Sequence, residues 1–154
     1  MAVQPDTARE LVDAIFLFAR TLRTTLVHHD SDLLPSALTG VLFLLARTGE
    51  CRPSELAAEI CVSQSALSRQ IGELVDRGFV DRHPDPNDKR AHLVSCSPDG
   101  REILRTIQER RTERLTAELT DWDQQQVVEA LAVVGRLNST LAPIAGSTPQ
   151  RTSS

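Results

Sequence analysis

Apolar residues Leu11, Ile15, Phe18, Leu22 and Leu26 recur every three or four positions, which predicts a helix from Asp6 to about His28. Val12, Phe16 and Ala19 widen this stripe beyond what one surface helix needs, so the face calls for another helix or another chain. The stretch SDLLP interrupts the pattern. A second helix then runs from Ser36 to Arg47, with Val41, Leu42, Leu44 and Leu45 inward, and stops at Thr48-Gly49 as a C-terminal glycine predicts. Residues 53–60, PSELAAEI, read as a short helix with proline in its first turn, where the missing N–H costs nothing. After a tight turn at CVS, Ser63 is a good N-cap for a helix from Gln64 to Arg77, whose Leu67, Ile71, Leu74 and Val75 form one buried stripe closed by Gly78. Two helices joined by about three residues have helix-turn-helix spacing.

Beyond Gly78 the period falls from 3.6 to 2. FVDRH and AHLVSC read as strands, and the intervening PDPNDKR is too long for a two-residue hairpin turn, which predicts a wing-like loop. Ser97-Pro98 starts a long helix to about Leu119. A capping box from Thr120 to Asp123 then restarts the chain into a last helix through Val127, Val128, Leu131, Val134, Leu137 and Leu141. The polar tail, GSTPQRTSS, is expected to be disordered. The fold class that follows is mainly α with a small two-stranded β-wing: a winged helix-turn-helix core flanked by long terminal helices.

With 154 residues and 40% apolar content, the chain is sized for one domain with its own core. Three cysteines without a CxxC pair signal neither a disulfide framework nor a zinc site, and neither a signal core nor a membrane span is visible. A cytoplasmic protein is expected. The formal net charge of −4 argues against coating nucleic acid by bulk charge, although local arrangement can override the total. No Ser-His-Asp set, Gly-rich phosphate loop or metal-ligand spacing can be assembled, so neither an enzyme nor a cofactor is expected.

The stretch PSELAAEICVSQSALSRQIGELVDRGFVDRHPDPNDKRAHLVSCSPDGREIL resembles the core of the MarR family of bacterial transcriptional regulators. ALSRQIGELVDRGFVDR and DPNDKRAHLVSCSPDG are its most specific parts, and the flanking helices match that family's layout over nearly the whole chain. The resemblance implies a single MarR-type domain over 1–154. In it, 6–30 and 98–145 form a helical dimerisation region, 33–97 a DNA-binding lobe and 146–154 a tail. It also implies a homodimer with a recognition helix of each subunit in a major groove and the wing tip in the adjoining minor groove. Two readers about 34–36 Å apart would then select a pseudopalindromic operator.

The charge objection is settled by position. Residues 52–99 hold six basic side chains against eight acidic ones, but Lys89 and Arg90 sit at the wing tip, and Arg69 and Gln70 lie opposite the buried stripe of the recognition helix. Ser63, Gln64, Ser65 and Ser68 cluster near the N-terminus of that helix, where unpaired N–H groups favour phosphate. Gln64, Ser65 and Gln70 are candidates for base edges, and the family resemblance implies phosphate for Arg69. Arg90 suits the narrow minor groove, being planar and weakly hydrated. For Asp88 the family resemblance implies a role in orienting Arg90 or Arg82 through a charge-assisted hydrogen bond. So few cations predict a small salt slope, at about −0.9 in log K per phosphate neutralised. A dimeric winged-helix module that binds protein instead of DNA is the alternative that the acidity leaves open.

Members of the family commonly bind small aromatic or phenolic ligands between the helical arms and the DNA-binding lobe. For such a cleft the candidates are Phe16, His28, His29, Phe43 and Arg47. His28-His29-Asp30 reads as cations at a helix C-terminus rather than as a metal site. Cys61 and Cys96 read as small buried residues, Trp122 as a packing anchor where two helices meet, and QERRTERLTAE as a solvated helix face.

Overall fold

A computed structural model describes residues 2–27, 30–60 and 62–141, the side chains of 58–60 excepted. The chain divides into two compact units, residues 1–117 and 118–154. In the first, α1 (Pro5–Leu22) begins with proline in its first turn and buries none of its residues. It ends six residues before the expected His28. From Arg23 to Val27 the backbone widens into a π-helical turn, and Leu26 is the buried residue of that turn. The Thr24 hydroxyl bonds back to the carbonyl of Thr21 at 2.9 Å. Hydroxyl back-bonding of this kind competes with regular helical hydrogen bonding.

Helices α2 (Ser36–Thr48), α3 (Pro53–Ile60) and α4 (Gln64–Asp76) enclose the core. Leu38, Val41, Leu42 and Leu45 of α2 meet Leu56 and Ala57 of α3 and Leu67, Ile71 and Leu74 of α4. Each Leu, Ile or Val among them contributes about 1.5–3 kcal/mol when fully buried. Gly49 and Gly78 close α2 and α4 with φ of 83° and 77°, a left-handed backbone that side chains disfavour. A Cβ on Gly72 of α4 would meet nothing within 4 Å among the described residues of the chain.

Strands β1 (Val80–Asp85) and β2 (Asp88–Cys96) pair antiparallel, and Val80, Val94 and Cys96 complete the core. The strands run closer to the tip than the sequence predicts, leaving only Pro86 and Asn87 as the turn. Pro84 is tolerated because β1 is an edge strand. Cys51, before α3, forms a two-bond bridge with Val94 on the other side of β2.

Helix α5 (Pro98–Glu118) starts from a tight junction. The Ser97 hydroxyl donates to the Gly78 carbonyl at 2.6 Å and accepts from the Gly100 N–H at 3.0 Å, tying the end of α4 to the start of α5. A Cβ at Gly100 would sit 2.2 Å from the Phe79 carbonyl oxygen, so only glycine allows this approach. Further along, Ile103, Leu104 and Ile107 pack on the core. The segment expected as a solvated face is only partly so. Arg111 and Arg114 turn inward onto Asp30, which is 1% exposed, at 2.7 and 2.8 Å, while Arg110 reaches Asp32 at 3.0 Å.

In the second unit, α6 (Gln124–Leu141) also buries none of its residues. Its capping box lies three residues later than predicted. Asp123 Oδ1 accepts from the Gln126 N–H and Gln126 Oε1 accepts from the Asp123 N–H, both at 2.9 Å, so Asp123 is the cap and Thr120 is not. Trp122, expected as a packing anchor, is half exposed. No helix among the described residues is long and apolar enough to cross a membrane.

Candidate nucleic-acid interface

The recognition surface starts at the α4 N-terminus. The Ser63 hydroxyl accepts from the Ala66 N–H at 3.2 Å and lies 3.2 Å from the Ser65 hydroxyl, so Ser63 caps the helix as its sequence position predicts. With Leu67, Ile71 and Leu74 facing the core, Gln64, Ser65, Ser68 and Arg69 are exposed together on the opposite side. Gln70 is different. It is half-buried, and its Oε1 is shielded from solvent with no hydrogen bond.

The wing tip is shaped by a shift in strand register. Pairing steps from Pro84 with His92 directly to Asp85 with Asp88, so Lys89, Arg90 and Ala91 occupy extra length on β2. An irregularity of this kind bends a strand and re-aims its side chains. Lys89 and Arg90 are both exposed there. Asp88 does help to orient Arg90, but by another route than predicted. Its Oδ1 accepts from the Arg90 backbone N–H at 3.0 Å, fixing the main chain instead of gripping the guanidinium.

A neighbouring carboxylate, which the sequence did not single out, organises the tip. Asp85 is 5% exposed; its Oδ1 accepts from the Asn87 N–H at 2.8 Å, and its Oδ2 accepts from Nε and Nη2 of Arg52 at 2.8 and 2.6 Å. The Asn87 N–H, followed by the Arg52 guanidinium, holds the Asp85 carboxyl below its ordinary value of 3.8. The first contact is an Asx-turn, signalled by Asp two residues before Asn87. The second joins residues 33 positions apart and has no local signature.

The ligand candidates are only partly brought together. The Arg47 guanidinium stands 5.9 Å from the Phe43 ring centroid, within cation–π reach. Both line a hollow of about 460 Å³ whose far wall is Arg101, Leu104 and Arg105 of α5. Phe16 lies outside that lining, 74% exposed on α1, and His28 and His29 fall outside the described residues. Cys96 is buried and burial pushes its thiol pKa up, which suits an unreactive packing residue; Cys61 lies outside the described residues.

The MarR family model matches residues 34–92, the segment from Leu34 to His92 that carries the helix-turn-helix and most of the wing. An uncharacterised HTH-type transcriptional regulator of Mycobacterium leprae is 37% identical over 112 residues, covering 73% of this chain and 76% of its own. The chain belongs to the MarR family of transcriptional regulators. Among solved structures, apo wild-type MarR from E. coli superposes with a TM-score of 0.73 at 26% identity, over 89% of this chain and 98% of that one. A cysteine-to-serine mutant of E. coli MarR, solved in complex with operator DNA, superposes at 0.65 with 25% identity, over 88% and 99%. The winged-helix architecture expected from the sequence is therefore the observed one.

Proposed function

We propose that this MarR-family chain is a homodimeric, sequence-specific repressor that binds a pseudopalindromic operator in the cytoplasm. The E. coli MarR complex with operator DNA supports the DNA reading. In this chain the observation that carries it is the tip, where the shift in register displays Lys89 and Arg90 at the end of a hairpin stapled by Asp85 and Asp88. Arg90, with Lys89 beside it, enters the minor groove. Gln64, Ser65 and Ser68 face base edges in the major groove, while Arg69 and the capped α4 N-terminus take phosphate. Gln70, with its carbonyl turned inward, has its amide nitrogen left for DNA, and Ser63 contributes through the helix end that it caps. The two copies pair through the apolar faces of α1 and α6, which the single chain leaves exposed.

A small aromatic or phenolic ligand modulates binding. The Phe43–Arg47 hollow supports this part, because it offers a ring and cations together, the features that such a ligand meets. Its entry would shift the spacing of the two readers and so the affinity for the operator.

Fluorescence anisotropy tests the reading. A labelled duplex from upstream of the protein's own gene should bind more tightly than a scrambled duplex of equal length, and binding should weaken as salt rises. Equal binding to both duplexes, or retention of neither, would favour a protein-binding module instead.

A further inference from the structure

The α2–α3 connection grips the wing at two heights. Near the root, the Cys51 N–H donates to the Val94 carbonyl at 3.1 Å and the Val94 N–H donates to the Cys51 carbonyl at 2.9 Å. At the tip, the next residue, Arg52, places two donors on one oxygen of the buried Asp85 carboxylate. Arg52 is itself fixed to α3. Its carbonyl accepts from the Leu56 N–H, and its own N–H donates to Glu55 Oε2 at 2.9 Å. The other Asp85 oxygen closes the turn at Asn87, immediately before Asp88 orders the Arg90 backbone. An unbroken set of contacts therefore runs from the N-terminus of α3 through Arg52, Asp85, Asn87 and Asp88 to Arg90.

We propose that Arg52 and Asp85 are positioning residues for the wing: their ion pair fixes the tip against the helix-turn-helix, so that Lys89 and Arg90 meet DNA already aligned. A hairpin joined to the lobe only at its root would have to be ordered when DNA binds, which costs affinity. The brace removes that step. It also commits the Arg52 guanidinium to Asp85 instead of phosphate, although Arg52 lies in the DNA-binding lobe. This inference rests on the proposed DNA-binding role of the wing.

The test uses Arg52→Gln in the full-length protein, alone and combined with Arg90→Ala. Arg52→Gln should weaken operator binding roughly threefold to tenfold in the wild-type background, but less than about twofold where Arg90 is already absent, because the brace acts through the tip. In the DNA-free protein, amide exchange at residues 87–91 should accelerate about tenfold, with the core of α4 unchanged. If Arg52→Gln does not fold, Arg52→Lys, which retains the charge but loses the planar fork, is read in the same way. Unchanged exchange at the tip would overturn the brace. Equal losses in both backgrounds would overturn its action through Arg90 and leave the proposed function standing. If wild-type protein retained no duplex, that function would fall and this inference with it.

Discussion

The reader lobe and the two outer helices carry the same kind of apolar stripe but end in opposite conditions. In the lobe, Leu42, Leu45, Leu56 and Leu74 are fully buried, whereas neither α1 nor α6 buries a single residue. Phe16 on α1 is 74% exposed and Leu131 on α6 is 70% exposed. Periodicity identifies a face that must be covered but does not say what covers it. The lobe covers its own faces. In the single chain α1 and α6 leave theirs uncovered, and the proposed dimer is what would cover them.

Substitutions should therefore act differently in the two regions. The largest loss is expected at Asp30, whose carboxylate is buried between Arg111 and Arg114. Asp30→Asn leaves two cations facing a neutral group, and urea unfolding should report about 3–5 kcal/mol of lost stability. Leu45→Ala in the core should cost about 2–5 kcal/mol by the same measurement, through transfer and cavity terms together. Phe16→Ser is the counterpart on α1. It should leave the unfolding free energy of the lobe within about 0.5 kcal/mol while weakening self-association in sedimentation velocity. A large loss of lobe stability from Phe16→Ser would erase the distinction between the two regions.

Smaller effects are expected at the proposed DNA surface. Arg90→Ala should weaken operator binding by about 1–3 kcal/mol with no change in thermal midpoint, since the side chain is exposed. Ser63→Ala removes the α4 cap and should cost about 1 kcal/mol of stability, seen as a lower denaturant midpoint. Acid should loosen the wing tip. Because the Asp85 pKa is depressed on folding, its contribution is present above the unfolded value of 3.8 and is lost as pH falls through the folded one. Amide protection at the tip, taken relative to the intrinsic exchange rate at each pH, should then fall in acid in wild type but not in Asp85→Asn.

The helices were legible because each has a local cause. Ser63, Gly49 and Gly78 mark ends, and three-to-four spacing marks inner faces. The long-range charge pairs were not legible. Arg52 is 33 positions from Asp85 and Arg111 is 81 from Asp30, so no sequence window contains both partners. This is also why QERRTERLTAE reads as solvated: a cation looks the same whether it meets water or a buried carboxylate. At the tip, Pro84 and Pro86 argue against strand, yet an edge position and the Asx-turn at Asp85 accommodate both. The α6 cap was available locally, since Asp123-x-x-Gln126 fits a capping box as well as Thr120-x-x-Asp123 does.

The proposed DNA recognition depends on two copies, joined through α1 and α6, presenting two wings and two recognition helices to one duplex. Sedimentation equilibrium of the protein mixed with its upstream duplex, at low ionic strength and micromolar concentration, reads that stoichiometry. A complex of one duplex with two 17.0 kDa chains is expected, and a free protein already at twice the chain mass. A free protein at single-chain mass that binds the duplex one chain at a time would contradict the dimeric reading.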